Sequence, residues 1–201
     1  MPRPTCSRCR RPLSHCLCAL IPRLDSRTRV LILQHPDESG HALNTARLAA
    51  LGLVNAELLV GETFGDALAE RLADPAYRSL LLFPGAQAER PAPQSAEERP
   101  LQLIVPDGTW RKARKLLYLN PVLESLPRLC LPEGLTSRYR LRKAPQPGAL
   151  STLEAIVETL ARLEPERRFD ALLRPFEALI DGQIAAMGEQ TYQRNHGAGR
   201  E

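Results

Sequence analysis

Four cysteines near the N-terminus have the spacing of a metal site. They form Cys6-x-x-Cys9, six residues, and then Cys16-x-Cys18, so two short loops can present four thiolates to one ion. Four sulfur ligands favour zinc in a closed, structural site, with unliganded thiols as the alternative. The arginine-rich surroundings cannot form a core, so we expect the metal to supply the folding energy of this segment, on the order of 10 kcal/mol. A fifth cysteine, Cys130, lies in an apolar run and is predicted to be a buried structural thiol.

A second group of chemically capable residues is the run Pro106-Asp107-Gly108-Thr109-Trp110, where a predicted strand meets a predicted helix. Asp107 can face a ligand or cap the helix, and because Thr109 competes for the cap, Asp107 is left for chemistry. Trp110 is the single tryptophan of the chain. It is either a core residue or a platform on which a base or an adenine stacks.

Basic residues are clustered along the chain. The 27 basic and 23 acidic residues give a net charge of +4, yet residues 1–30 hold seven arginines against one acid, and residues 107–143 hold nine basic residues against three acids. In the helix after Thr109, the residues Arg111, Arg114, Lys115 and Tyr118 recur at helical spacing. This distribution indicates a polarised surface that can receive a polyanion, with a merely solvated charged face as the alternative.

The elements that must position these residues alternate between strand and helix. Short apolar strands are predicted at 29–34, 56–60, 79–83, 101–105 and 128–131. Helices are predicted at 44–51, 64–72, 109–119, from 151 to about 163, and at 169–187. The pattern predicts an α/β fold with a mostly parallel sheet and helices on both faces.

Three loops are expected to meet in this fold, because ligands of parallel sheets bind beyond the carboxyl ends of the strands. The loops are 83–86, 106–110 and 142–152. The last contains a capping box, Ser151-Thr152-Leu153-Glu154, whose backbone amides can also receive a carboxylate or an adenine edge. The glycine-rich dinucleotide motif, the Walker lysine motif and the GxSxG motif are all missing, which argues against a dinucleotide-binding protein or an NTPase.

Length and hydropathy favour a small intracellular protein. A chain of 201 residues corresponds to one domain with a small appendage. We predict a zinc knuckle at 1–27, a main domain at 28–190 and a frayed tail at 191–201. With no apolar run near the roughly 18 residues of a membrane span and no apolar leader, we expect a soluble, cytoplasmic protein that does not bind membranes.

The motifs together resemble the DTW-domain family. Asp107-Gly108-Thr109-Trp110 is similar to the Asp-x-Thr-Trp signature of that family. The further matching blocks are the four-cysteine knuckle, Gln34-His35-Pro36-x-Glu38 with Asn44-Thr45, Leu82-Phe83-Pro84-Gly85, Tyr139-x-Leu141-Arg142 and Leu150-Ser151-Thr152-x-Glu154-Ala155. They cover nearly all of residues 5–160.

The resemblance implies a tRNA-uridine aminocarboxypropyltransferase. Such enzymes move the 3-amino-3-carboxypropyl group of S-adenosylmethionine to N3 of a tRNA uridine, in the variable loop for bacterial members, and release methylthioadenosine. The family is also similar to the SPOUT class, so the resemblance implies a SPOUT-like domain with a C-terminal trefoil knot. It implies tRNA as the partner and no obligate protein partner.

The resemblance also implies roles for individual residues. Catalysis is expected from Asp107, Thr109 and Trp110, with Asp107 as the general base or as the group that fixes the substrate amine. S-adenosylmethionine is expected at Phe83, Pro84, Gly85, Pro106, Asp107, Ala144, Pro145, Leu150, Ser151, Thr152 and Glu154. The tRNA is expected at His35, Arg111, Lys112, Arg114, Lys115, Arg138, Arg140, Arg142 and Lys143. His35 has the alternative of a turn histidine bonded to the backbone.

Two rival functions remain open from the sequence. One is a SPOUT-like RNA methyltransferase, which uses the same donor but releases S-adenosylhomocysteine. The other is a non-catalytic zinc-knuckle protein that binds RNA. The identity of the by-product separates the first from the transferase, and binding of the donor separates the second.

Overall fold

Five parallel strands form the centre of the fold in a computed structural model, which describes residues 4–141 and 149–197. The strands are β1 (Arg29–Gln34), β2 (Ala56–Val60), β3 (Arg78–Leu82), β4 (Leu101–Asp107) and β5 (Arg128–Leu129). They are hydrogen-bonded in the order β2-β1-β4-β3-β5, and every pairing in this sheet is parallel. The predicted α/β class with a parallel sheet is confirmed.

Helices connect and cover the strands. They are α1 (Pro36–Ser39), α2 (Thr45–Gly52), α3 (Gly65–Leu72), α4 (Trp110–Leu119), α5 (Thr152–Leu163), α6 (Leu173–Met187) and α7 (Glu189–Tyr192). Short 3-10 turns occupy Leu13–His15, Pro121–Ser125 and Asp170–Leu172, and a π-helical turn occupies Gln193–Gly197. The side chains of Asn44, Thr109 and Ser151 cap α2, α4 and α5, because each accepts a hydrogen bond from a backbone N–H in the first turn.

The two faces of the sheet carry different helices. On one face, α3 and α4 pack against alternate strand residues such as Leu31, Leu33 and Ile104. On the other face, α2, α5 and α6 pack against Val30 and Ile32 of the same strand. A strand that is buried on both faces cannot alternate between apolar and polar residues. The central strands are therefore nearly continuous apolar runs. The expected helical layer on each face is therefore confirmed.

The strand order creates a crevice between the carboxyl ends of β1 and β4. From β1 the chain passes through α2 to β2 on one side, whereas from β4 it passes through α4 to β5 on the other side. Such a switch point is where ligands bind in open α/β sheets, because the two connections leave in opposite directions. Gln34 and Asp107 are paired in register at this point.

Some boundaries differ from those predicted. β4 runs on to Asp107 through Pro106, because the pairing with β3 has ended at Ile104 while the pairing with β1 continues, so the missing N–H of a proline is tolerated. The proline at 36 ends β1 as expected, and it also begins α1, a helix not predicted from the sequence. Beyond Gly188, helical turns continue to residue 197 where a frayed tail was predicted.

The N-terminal segment is attached to the α2, α5 and α6 face of the main domain. Cys9, Leu17 and Ile21 are buried in the core on that face. Where the segment joins β1, the buried Glu164 carboxylate accepts hydrogen bonds from the Ser26 hydroxyl at 2.8 Å and from the Thr28 N–H at 2.8 Å. The described residues contain no helix with the length and apolar character that crossing a bilayer requires.

Candidate active site

Asp107 ends β4 in the crevice, with only 8% of its surface exposed. Its Oδ2 accepts a hydrogen bond from Gln34 Nε2 at 2.7 Å, and its Oδ1 accepts one from the Thr152 hydroxyl. The two donors come from β1 and from the first turn of α5. Two elements that are distant in sequence therefore fix the orientation of one carboxylate.

Gln34 and Asn44 extend this network, and neither was selected as a site residue from the sequence. Gln34 is fully buried and its Nε2 also donates to Asn44 Oδ1 at 3.1 Å. Asn44 Oδ1 in turn accepts the Arg47 N–H that caps α2. The signal that could have found Gln34 is a polar side chain at the inner end of an apolar strand, because a buried amide must have partners.

Two pockets meet beside Asp107. The apolar pocket, of about 390 Å³, lies over the ends of β3, β4 and β5 and the start of α5. Its walls include Phe83, Pro84, Pro106, Trp110, Cys130 and Leu150. The polar pocket, of about 300 Å³, lies over the end of β4 and the starts of α2 and α5. Its walls include Glu38, Asn44, Thr45, Asp107, Thr109 and Ser151.

Gly108 and Thr152 belong to the walls of both pockets, so the two are adjacent. The described parts of the three strand-end loops thus come together as expected. A Cβ built on Gly108 would lie 3.0 Å from Lys112 Cβ and 3.6 Å from His35 Cβ, and the residue has φ +155°. A glycine therefore lets the turn after Asp107 lie close to α4.

Trp110 is neither a core residue nor fully exposed. It is 40% exposed and meets Phe83 edge to face, with ring centroids 5.6 Å apart. Phe83 lies on the loop after β3, and the guanidinium of Arg128 lies 5.9 Å from the centre of its ring. The indole is therefore held by an aromatic neighbour at the edge of the apolar pocket.

The capping box of α5 is complete, as its sequence predicted. Ser151 Oγ accepts from the Glu154 N–H, and the Glu154 carboxylate accepts from the Ser151 N–H at 2.8 Å. The same carboxylate accepts from Ser137 Oγ at 2.9 Å and from the Arg138 N–H at 2.6 Å. Glu154 is thus buried behind the pockets, where it ties the 137–138 turn to α5.

The expected tRNA contacts are distributed unevenly. His35 is buried: its Nδ1 accepts from the Asp37 N–H at 3.3 Å and its Nε2 lies 2.9 Å from Glu62 Oε1. This geometry is that of the turn histidine considered as its alternative. The hydrogen bond from Lys115 to Glu62 lowers the pKa of Glu62.

The other predicted tRNA-binding side chains differ in their ion pairs. Acidic partners are found for Lys112 (Asp37 and Glu38), Lys115 (Glu62), Arg138 (Glu177) and Arg140 (Asp181). Arg111 and Arg114 are exposed on α4 and have no such partner among residues 4–141 and 149–197. Tyr118, on the same face, is 80% exposed.

The remaining predicted residues lie on the loop after β3, in the segment after Leu141 and at the end of β5. Gly85 lies beside the apolar pocket, and a Cβ on it would meet the Arg128 side chain at 2.9 Å. Arg142, Lys143, Ala144 and Pro145 lie outside the described residues. Cys130 is half-buried and lines the apolar pocket, so the prediction of a buried structural thiol is wrong. Its strand, β5, ends at Leu129 and leaves it on the pocket wall.

The four N-terminal cysteines come together as a candidate metal centre. Their sulfur atoms all lie within 4.8 Å of one another, with 3.6 Å between Cys6 and Cys18 and 3.8 Å between Cys9 and Cys16. Four sulfurs at about 2.3 Å from one zinc ion would lie about 3.8 Å apart, so the cluster fits zinc. The Cys9 N–H and the Arg8 N–H lower the pKa of Cys6 to about 6, which favours the metal-binding thiolate. Burial raises the pKa of Cys18 to about 12.

These features define an α/β domain with two adjacent pockets at its strand ends and a four-cysteine cluster near its N-terminus. The chain belongs to the DTW-domain family, whose model matches residues 3–184. The match spans the knuckle, the sheet and both pockets.

Among similar proteins are three named tRNA-uridine aminocarboxypropyltransferases. Protein 2 of that name from Macaca fascicularis is 32% identical over 96% of this chain and 68% of its own length. Protein 2 from Mus musculus is 33% identical over 90% of this chain and 64% of its own length. Protein A from Arabidopsis thaliana is 30% identical over 82% of this chain and 74% of its own length. The chain thus spans about two thirds of the first two relatives. No solved structure matches it significantly.

Proposed function

We propose that this chain transfers the 3-amino-3-carboxypropyl group of S-adenosylmethionine to N3 of a tRNA uridine. The names of its relatives support the transfer and the tRNA. The single observation that carries the mechanism is the place of Asp107, a fixed carboxylate where an apolar and a polar pocket meet. The variable loop as the target region is part of this proposal.

The apolar pocket fits the adenosine part of the donor. Its volume of about 390 Å³ lies in the range of small-molecule sites, which are mostly apolar with a few polar groups. The Trp110 edge and the Phe83–Pro84 turn supply apolar walls, while Leu150 and Thr152 bring the first turn of α5. Gly85 and the Ser151–Glu154 box are further proposed donor-binding residues, as are Ala144 and Pro145, which lie outside the described residues.

The reaction needs one proton acceptor and accurate placement. The N3–H proton of uracil passes to the Asp107 carboxylate, and the N3 electron pair forms a bond to the terminal methylene of the aminocarboxypropyl group. The bond from that carbon to sulfur breaks, its electron pair stays on sulfur, and neutral methylthioadenosine leaves. The proton then passes from Asp107 to water.

Placement also decides which carbon reacts. All three carbons on the sulfonium are electrophilic, so the protein selects one by holding it in line with the attacking nitrogen. At the start of α4, Trp110 lines the apolar pocket and Thr109 lines the polar pocket. We assign to them the positioning of the donor and of the acceptor base.

The outer face of α4 is the strongest candidate for tRNA contact. Arg111 and Arg114 have no acidic partner among the described residues, whereas the charges of Lys112, Lys115, Arg138 and Arg140 are partly offset by ion pairs. Guanidinium groups bind phosphate, and an exposed aromatic such as Tyr118 suits a base. Because Trp110 lies at the pocket edge on the same helix, this face leads towards the reacting groups.

The remaining assignments concern architecture. We propose that the knuckle, residues 1–27, binds structural zinc through Cys6, Cys9, Cys16 and Cys18 and that residues 28–190 form the catalytic domain. A zinc ion bound there would cross-link the two cysteine pairs of the knuckle. The arginines of the knuckle would extend the basic surface. The parallel sheet and the strand-end pocket support a SPOUT-like domain, with the C-terminal trefoil knot as part of this proposal. The cytoplasm is the proposed location, where a tRNA substrate is available.

The test is incubation of the purified protein with unmodified tRNA and S-adenosylmethionine, followed by mass spectrometry of nucleosides and by-products. We expect aminocarboxypropyluridine and methylthioadenosine in equal amounts. S-adenosylhomocysteine would instead indicate a methyltransferase, and absence of donor binding by calorimetry would indicate a non-catalytic RNA-binding protein.

The role of Asp107 is tested by Asp107→Asn, which keeps the shape of the side chain and removes the base. We expect kcat to fall about 10²- to 10⁴-fold while the Kd for the donor changes little. A weakened donor Kd with residual turnover would instead assign Asp107 to the substrate amine. Asp66→Asn, the same change at an exposed carboxylate of α3, serves as the control.

A further inference from the structure

The polar pocket is not needed by the adenosine part of the donor, and it holds the reacting side of Asp107. Asp107 lines this pocket and is absent from the walls of the apolar one. Its other walls include hydroxyl, amide and carboxylate side chains, beside the apolar Leu43 and Leu141. A ligand that lies here therefore presents several hydrogen-bonding groups in a small space.

Thr45 is a side chain of this pocket whose hydroxyl can reach a ligand. It is the first residue of α2, only 7% of its surface is exposed, and it lines the pocket. Within the described chain its hydroxyl makes no hydrogen bond, although Asn44 beside it is fully engaged with Gln34, Glu38 and Arg47. The hydroxyl oxygen itself is not fully enclosed, so it can donate to an acceptor atom that a ligand brings into the pocket in place of water.

The edge of uracil matches this arrangement. It presents two carbonyl oxygens on either side of the N3–H, so it needs a protein acceptor for the N–H and a donor beside it. Asp107 is the acceptor and the Thr45 hydroxyl is the donor. Cytosine offers a lone pair at N3 in place of the N–H, which would face the Asp107 carboxylate unfavourably.

We propose that the polar pocket binds the acceptor uracil and that Thr45 donates a hydrogen bond to one of its carbonyl oxygens. This assignment rests on the proposed function, because it requires that a tRNA uridine is the acceptor. The donor then lies in the apolar pocket, and the reacting atoms meet at the wall of Gly108 and Thr152 that the pockets share. Thr45 is a specificity-determining residue in this arrangement.

The experiment is a double-mutant cycle between protein and base. The protein change is Thr45→Val, which replaces the hydroxyl by a methyl group of similar size. The base change replaces the target uridine of a synthetic tRNA by 4-thiouridine or by 2-thiouridine, because sulfur accepts hydrogen bonds weakly. The altered acidity of N3 in these bases affects both proteins equally and cancels in the cycle.

We expect Thr45→Val to lower kcat/KM about tenfold on the normal tRNA. One of the two thio bases lowers kcat/KM of the unmodified protein by a similar factor, and Thr45→Val shows no further loss with that base. Thr45→Ser retains activity because it keeps the hydroxyl, and Thr63→Val, at an exposed threonine, leaves activity unchanged.

Additive losses with both thio bases would overturn the assignment, as would full activity of Thr45→Val. These outcomes leave the proposed function standing, because the unmodified protein is still active on the normal tRNA. Lack of transfer by the unmodified protein would instead overturn the proposed function. Equal melting temperatures of the threonine variants exclude a loss of fold as the cause.

Discussion

The knuckle and the crevice are positioned by different forces. In the knuckle, four sulfur atoms lie within 4.8 Å of one another, and only a few residues such as Leu17 and Ile21 reach the core. In the crevice, Asp107 takes its position from the paired strands β1 and β4 and from the buried amide of Gln34. With the proposed zinc ion, one region would depend on an ion and the other on the sheet, so each can be broken alone.

Removal of the metal should produce the largest effect, confined to the knuckle. Because metal binding supplies on the order of 10 kcal/mol to such segments, we expect a chelator or Cys6→Ser to release zinc and to expose residues 4–24 to proteases. The sheet keeps its far-UV circular dichroism, since its ladders do not involve the knuckle. Metal analysis and limited proteolysis measure this.

Cys130→Ser is the matched control, because Cys130 lies outside the cluster. Unfolding of the whole sheet on metal loss would contradict the separation of the two regions.

Gln34→Leu should damage the crevice and spare the knuckle. It removes the Gln34 Nε2 group, which donates to Asp107 at 2.7 Å. It also removes Gln34 Oε1, which accepts a hydrogen bond from the Asn44 side-chain amide. A lost hydrogen bond to a charged group costs about 1.5–3 kcal/mol, so we expect kcat to fall about 10- to 100-fold with an unchanged Kd for tRNA. Gln183→Leu on α6 is the control, and zinc content stays constant. An unchanged kcat would show that Gln34 does not position Asp107.

The basic face of α4 sharpens the comparison by testing contacts that depend on neither the ion nor the crevice. Arg111→Ala and Arg114→Ala should each reduce the slope of log affinity against log salt by about 0.7–0.9, the value for one lost phosphate contact. Filter binding of tRNA across a salt series measures the slope. Arg162→Ala, which removes an arginine paired with Glu158 on α5, should leave the slope as it is. Equal slopes for all variants would indicate that the tRNA binds to another surface of the protein.

We expect the smallest effect, a small loss of folding stability, from removing an ion pair that is remote from both regions. The hydrogen bond from Arg71 lowers the pKa of Glu57 and joins β2 to α3. Because the folded pKa is lower than the unfolded one, the stabilisation is present above about pH 4.3 and is lost as the pH falls through the folded pKa. Partial exposure limits it to at most about 1 kcal/mol.

Urea unfolding of Glu57→Gln should therefore show a small loss of stability at pH 7 and none in strong acid. Glu70→Gln, an exposed carboxylate of α3, is the control. A difference from the unmodified protein that persists in strong acid would assign the effect to packing of the side chain.

Strands and helix caps could be predicted because their causes are local. An apolar run between turn residues predicts a strand buried on both faces, and Asn44, Thr109 and Ser151 each stand where a cap is needed. The strand order could not be predicted, since parallel pairing joins segments far apart in the chain. The meeting of β1 with β4, which pairs Gln34 with Asp107, is of this kind.

Within the candidate site, residue types were more readable than partners. Asp107 and the four cysteines were identifiable because a carboxylate at a strand end and a cysteine cluster have few other uses. The buried state of His35 was not readable, because its partner Glu62 lies beyond another strand and helix. Thr45 was matched as part of the Asn44-Thr45 block but received no role, since a threonine after a capping asparagine is ordinary until a pocket is seen beside it.

The place of Asp107 at the end of a central strand has a consequence for motion. Its carbonyl accepts a hydrogen bond from the His35 N–H at 3.0 Å, and β4 is paired with β1 as far as Asp107 and with β3 as far as Ile104. Amides of such strands open only with the whole domain, so they should be among the last to exchange with deuterium. Breathing of the periphery would then leave the carboxylate in register, and the substrates would adjust to it.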